Sequence, residues 1–309
     1  MFSVIIPLYN KASFISRAID SVMYQTFQEF EIIVVNDGST DGGEKLPENY
    51  KTDRIRVIHQ ENQGVSAARN AGIAQARCSF VAFLDADDYW HKDYLKITSE
   101  AIKKFQDVGV IGSHYSHEEL PEVVENPEVL PLTNYFSKAI HNTFYSSSST
   151  IIRKDFFDSN EGFKTYLKIG EDLDLWFRTI AFFGKAYLIR ERLVFYDLSS
   201  SESGLIKKNL AFSVLSEFLK DDYLSEEQNA IELESFKRKF ILFNLFEYYS
   251  LNTNKSILER LLEKVGTNYS LIGLFYRLPG AFLKKYFSVG SLSNLFRNYM
   301  KFCFRYIYS

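Results

Sequence analysis

Two cysteines in 309 residues are too few for a disulfide framework, and Cys78 and Cys303 lack the spacing of a zinc site. Their scarcity points to a reducing, cytoplasmic setting. Glycine and proline are also sparse, at fifteen and six, which excludes collagen-like and low-complexity chains. The opening MFSVIIPLYN has no basic n-region and no small-residue cleavage site, so it does not read as a signal peptide. No uncharged run reaches the ~18 apolar residues of a membrane-spanning helix. The longest, 139–152, is broken by four serines. With 46% hydrophobic and 24% charged residues, the chain is not mainly disordered and can build a sizeable core. Its length suits about two domains at roughly 150 residues each.

The net charge of −3 is unevenly spread: from Lys264 to Ser309 there are seven Lys or Arg and no Asp or Glu. An acidic body with a basic, aromatic tail does not suit a nucleic-acid binder. It suits a tail that meets an anionic surface. The plainer account is a helical subdomain whose aromatics pack on the rest of the chain or on another subunit.

The first hundred residues alternate strand and helix signals. FSVIIPLYN is an apolar strand ending in a turn, and 12–24 carries a helical stripe of Phe14, Ile15, Ala18, Ile19 and Val22. FEIIVVND, RIRVIHQ and SFVAFLD read as further strands, with an Ala-rich helix over 66–77 between the last two. This order predicts a parallel sheet covered on both faces, with ligands beyond the strands' carboxyl ends. The polar clusters around Tyr9, Asp37 and Asp85 fall at those ends. Farther on, 108–115, 146–154 and 185–198 read as strands and 171–183 as a helix. From about Leu205 the apolar spacing is helical.

Four clusters could carry chemistry. Asp85, Asp87 and Asp88 gather carboxylates at a strand tip, where hard divalent cations find oxygen ligands; in an extended segment Asp85 and Asp87 would point the same way. A solvated turn with capping aspartates explains them equally well. Asp37, in VVNDGSTDGG, could accept hydrogen bonds from a base or sugar, or close an Asx turn. Arg69, in NQGVSAARNAG, could hold a phosphate or face a carboxylate. Glu171 and Asp172, in GEDLDLWFR, suit the first turn of a helix electrostatically, or supply a general base. No Ser/His/Asp or Cys/His nucleophile set is evident.

Together and in this order, VIIPLYN, VVNDGSTD, NQGVSAARNAG, FLDADD and GEDLDLWFR resemble the inverting family 2 glycosyltransferases. SSSSTIIRKDFFDSNEGF resembles the family's segment before the catalytic motif. The likeness covers residues 1–200. It implies an α/β, GT-A fold with a Rossmann-like, mostly parallel central sheet flanked by helices and followed by a helical C-terminal extension. The implied catalytic domain is 1–204, with a nucleotide-sugar-binding half at 1–110 and an acceptor-binding half at 111–204; a helical, aromatic and basic region occupies 205–309. In this reading Pro7 and Tyr9 line the base pocket, Asp37 bonds the base, and Arg69 lies near the nucleotide. Asp85 contacts the ribose, Asp87 binds Mn²⁺ or Mg²⁺, and Asp88 supports it. Asp172 is the general base, with Glu171 orienting it or the acceptor. Trp176 is expected in the core.

The implied reaction moves a sugar from a nucleotide-sugar, a UDP-sugar in the favoured reading, to a hydroxyl of a glycan or lipid-linked acceptor in bacterial surface polysaccharide synthesis. The enzyme would sit in the cytoplasm or peripherally on the inner membrane face. A catalytically impaired binding homologue and a sugar nucleotidyltransferase are the alternatives; PLYNKASF lacks the Gly-rich basic loop of the latter. One departure stands out. Family members often carry a YRxH-like segment whose His completes the metal site. Here it reads FYDLSSSES, with Asp197 where Arg is common and Ser199 near the expected His. Either the metal has one protein ligand fewer or Asp197 substitutes.

Overall fold

A computed structural model describes residues 1–199, 209–224, 230–249, 255–266 and 269–308. They group into two compact units. The first comprises the described residues of Met1–Thr133, Thr143–Thr165 and Asp172–Gly204, and the second those of Asn134–Asn142, Tyr166–Glu171 and Leu205–Ser309. The expected boundary at 204/205 lies outside the described residues.

The first unit opens with β1 (Phe2–Leu8), α1 (Ala12–Met23), β2 (Phe30–Asp37), β3 (Ile55–Gln60), α2 (Val65–Gln75) and β4 (Phe80–Phe83). Every residue of β1 is buried, as expected of a central strand covered on both faces. It pairs in parallel with β2 on one side and β4 on the other, and β2 pairs in parallel with β3. Parallel neighbours need crossovers, and α1 supplies the first. Its Ile15, Ala18, Ile19 and Val22 are fully buried, as their spacing predicted. All four strands therefore run the same way, and the loops that follow them share one edge of the sheet.

The sheet continues through β5 (Tyr89–Trp90), β6 (Val110–Ser116), β7 (Val129–Leu132), β8 (Thr150–Arg153) and β9 (Ala186–Phe195), with α3 (Tyr94–Lys104), α5 (Asp155–Ser159) and α6 (Glu171–Phe183) between them. The order is β3-β2-β1-β4-β8-β6-β9-β5, with β7 also on β9. β8 runs antiparallel to both β4 and β6, so the sheet is mixed in this half. The serine run is not strand, as its place in SSSSTIIRK suggested. Ser147–Ser149 form a 3₁₀ turn closed by a reciprocal Ser146–Ser149 capping box, because serine hydroxyls bond nearby backbone and compete with the ladder. The strand begins at Thr150.

The second unit holds α4 (Tyr135–Ala139), α7 (Val214–Glu217), α8 (Ala230–Tyr249), α9 (Lys255–Val265), α10 (Ser270–Tyr276), α11 (Gly280–Phe287) and α12 (Gly290–Tyr306). Its core is largely aromatic. Phe218, Phe236 and Phe240 are in mutual ring contact, and Phe246 packs on Phe287 and Phe296. Among the described residues no helix is long and apolar enough to cross a membrane.

Candidate active site

The site is built where the parallel strands end. Pro7 is buried inside β1, while Tyr9, just beyond it, is 45% exposed. Burial of one and exposure of the other follow from the strand giving out at Leu8, which leaves the Tyr9 ring partly open to solvent. Asp37 ends β2 and is buried. Its carboxylate accepts from Gln60 Nε2 at 2.7 Å, from the Gln63 amide at 2.9 Å and from the Gly64 amide at 2.8 Å. The residue thus fastens the loop entering α2 to the end of β2. Gly64 itself has φ of +91°, a left-handed conformation that glycine adopts without strain.

Residues Asp85 to Asp88 form a turn, closed by the Asp88 amide donating to the Asp85 carbonyl at 3.0 Å. This corrects the expectation that Asp85 and Asp87 share one face of an extended segment: a turn breaks the two-residue alternation on which that rested. Each carboxylate instead has its own cation. Arg69 Nη2 lies 2.6 Å from Asp85 Oδ1, and Lys11 Nζ lies 3.0 Å from Asp87 Oδ2. Arg69 is buried and also stands 5.1 Å from the Phe163 ring centre, so of its two sequence-level roles the structure shows the one that faces a carboxylate.

Asp88 points inward. It accepts from Ser148 Oγ and, at 2.9 Å, from the Asp197 amide. Burial, reinforced by the charge of Asp85, pushes its carboxyl up to about 8 despite those two bonds. Ser148 also accepts from the Asp85 amide at 3.0 Å, and its carbonyl accepts from Trp90 Nε1 at 2.7 Å. The irregular serine run therefore braces the aspartate turn from beneath.

Asp172 lies in the first turn of α6, where a carboxylate suits the helix dipole. It accepts from the Leu173 amide at 2.7 Å. Glu171 precedes it, at the end of the segment grouped with the second unit. The helix is anchored two residues on: Asp174, fully buried, accepts from Lys164 at 3.1 Å and from Arg178 at 2.7 Å. Arg178 also donates to the Glu161 and Gly162 carbonyls at 2.6 Å each. Trp176 is buried against Phe83 and Phe163, as expected. Burial first, and then the charges of Asp85, Asp88, Asp87 and Asp172, push the Tyr196 phenol up to about 12.

Arg17 was not anticipated. It bonds Asp197 Oδ2 at 2.8 Å and the Asp87 carbonyl, between the rings of Phe14, Tyr89 and Phe195. Burial alone would raise the Asp197 carboxyl, but bonds from Arg17 and Ser199 and the charge of Arg17 outweigh it and hold it below the usual carboxylate range. Asp197 is thus engaged by an arginine. Among the described residues no group of three or more His, Cys, Asp or Glu is gathered for a metal. The donors still fit a hard cation carried largely by its substrate, since Mg²⁺-type ions bind through one or two carboxylates plus phosphate oxygens.

This constellation can be set beside known proteins. The profile described as glycosyl transferase family 2 matches residues 3–160. The chain belongs to that family. It is 41% identical over 119 residues to the glycosyltransferase GlyA of Streptococcus pneumoniae, covering 38% of this chain and 17% of that protein. It is 45% identical over 111 residues to the uncharacterized glycosyltransferase EpsJ of Bacillus subtilis, covering 35% and 32%. The matched region thus spans under a third of either relative. Among solved structures, S. aureus TarS 1-349 in complex with UDP-GlcNAc superposes with a TM-score of 0.69 at 20% identity, covering 98% of this chain and 91% of that one. The mannosyltransferase PcManGT from Pyrobaculum calidifontis, in complex with GDP-Man and Mn²⁺, superposes with a TM-score of 0.53 at 15% identity, covering 97% and 83%. The family 2 chain therefore has the GT-A fold inferred from its motifs.

Proposed function

We propose that the family 2 chain is an inverting glycosyltransferase that moves a sugar from a UDP-sugar to a hydroxyl of a glycan or lipid-linked acceptor in bacterial surface polysaccharide synthesis. The observation that carries this reading is the turn of Asp85, Asp87 and Asp88 beyond the end of β4, with Asp85 held by Arg69 at 2.6 Å and Asp87 faced by Lys11 at 3.0 Å. It supports a carboxylate cluster able to meet a cation carried by a diphosphate, with Asp172 in the first turn of α6 as the candidate base. The relatives named glycosyltransferases and the UDP-GlcNAc bound by TarS support the reaction class and the choice of nucleotide.

Tyr9 stacks on the base and Asp37 bonds it, while Asp85, oriented by Arg69, takes the ribose. Asp87 would hold a divalent cation, Mn²⁺ or Mg²⁺, which when bound supplies Lewis-acid stabilisation of charge on the diphosphate. Asp172 accepts the proton of the acceptor hydroxyl as its oxygen bonds the anomeric carbon. The bond from that carbon to the diphosphate oxygen breaks on the opposite face, through an oxocarbenium-like transition state, and the nucleoside diphosphate leaves with the electron pair. Glu171 orients Asp172 or the acceptor.

The test is nucleotide release from a panel of UDP- and GDP-sugars with Mn²⁺, Mg²⁺ or EDTA, with donor binding measured on the same samples. Release from one UDP-sugar that EDTA abolishes supports the reading. Donor binding without release, even with acceptor glycans supplied, favours a binding homologue. No donor binding contradicts the site.

A further inference from the structure

Helix α12 has two apolar faces, and folding accounts for only one. Phe296, Met300, Cys303 and Phe304 are buried in the second unit. On the other side Leu295, Tyr299, Phe302 and Tyr306 are exposed by 61%, 39%, 53% and 63%. Their spacing of four, three and four residues places them in one stripe about 60° wide at 100° per residue. The same is true on a smaller scale of α10, where Leu271 and Leu274 are exposed by 48% and 63% while Ile272 and Tyr276 are buried.

The charge beside this surface has one sign. Lys301 and Arg305 are exposed along one flank of the stripe, and Lys284 and Lys285 are exposed on α11. From Lys264 onward there is no acidic residue. Arg297 is the basic residue of α12 that pairs with an acid, Glu247 of α8, at 3.0 Å.

We propose that the outer stripe of α12 with its lysine and arginine flank is a docking surface for an anionic lipid bilayer. Apolar and aromatic side chains enter the boundary between headgroups and acyl chains, while flanking ammonium and guanidinium groups meet lipid phosphates. Charge decides against a two-fold dimer through this stripe. A two-fold contact sets a patch against itself, here bringing basic flank onto basic flank with no acid in the segment to offset it. The stripe is an interfacial device, since no described helix can span a bilayer. This inference rests on the second unit's surface alone and is independent of the proposed transfer reaction.

The test is flotation of the full chain with vesicles of phosphatidylcholine alone and of phosphatidylcholine mixed with phosphatidylglycerol. The chain should float with the mixed vesicles at low salt, less at high salt, and little with phosphatidylcholine alone. F302S/Y306S should abolish flotation. K301Q/R305Q should lower partitioning by about fivefold per basic residue removed. Both variants should keep the wild-type melting temperature because the altered side chains are exposed; should F302S/Y306S fold poorly, K301Q/R305Q decides alone. Failure to float with the mixed vesicles, or flotation unchanged by K301Q/R305Q, overturns the proposal. So does sedimentation showing a dimer that F302S/Y306S splits while vesicles bind neither form.

Discussion

Lys11 Nζ stands 3.0 Å from Asp87 Oδ2, so the carboxylate assigned to a divalent cation already faces an ammonium group. The two cations compete for one carboxylate. Lys11→Met should therefore lower the Mn²⁺ concentration giving half-maximal nucleotide release. The shift should be no more than about fivefold, equivalent to roughly 1 kcal/mol for a part-exposed pair. A cation titration of donor binding checks it.

The single Asp174 carboxylate pairs with both Lys164 and Arg178 and has no exposure of its own. Removing one member of such a buried group leaves charge uncompensated, at a cost of about 3–5 kcal/mol. Asp174→Ala should lower the denaturant midpoint accordingly. Asp174→Leu, which fills the space better, should still destabilise, because the cations stay behind.

Gly72 allows α2 to lie directly on β1: a Cβ added there would collide with Ile5 Cγ2. Gly72→Ala should cost about 1–3 kcal/mol by overpacking. It should also weaken donor binding, because α2 carries Arg69. Chemical denaturation and nucleotide titration report the two effects separately.

His141 lies against the rings of Phe243 and Phe304. Burial first, and then the charges of Lys301 and Lys239, push its pKa down to about 4. The folded state thus holds this ring neutral where the unfolded chain, with a pKa near 6.5, takes up a proton. Its contribution to stability is full above about pH 6.5 and is lost as pH falls toward 4. Thermal melts between pH 7.5 and 4.5 should show that decline, and His141→Phe should flatten it.

Where the candidate residues lie in the fold was legible in the chain because they cluster locally. Asp37, Asp85, Asp87 and Asp172 each sit in a short motif, and strand periodicity alone put the first three at strand ends. Apart from Arg69, read as able to face a carboxylate and found on Asp85, their partners were not legible. Arg17 and Asp197 are 180 residues apart, and Ser148 reaches the Asp85 amide across 63; only the sheet order β4-β8-β6-β9 brings them together. Asp174 and Arg178 lay inside GEDLDLWFR at helical i, i+4 spacing, a signal that could have found the pair. Strands β5 and β7 have only two and four residues, too short for alternation to register.

The central claim is that Asp172 is the base, and steady-state kinetics of Asp172→Asn test it most directly. Asparagine keeps the side chain's size but takes up no proton, so kcat should fall by about 10²–10⁴-fold while the donor's KM stays within a few fold of wild type. A kcat near the wild-type value, or a loss confined to donor KM, would contradict the account and move the base elsewhere.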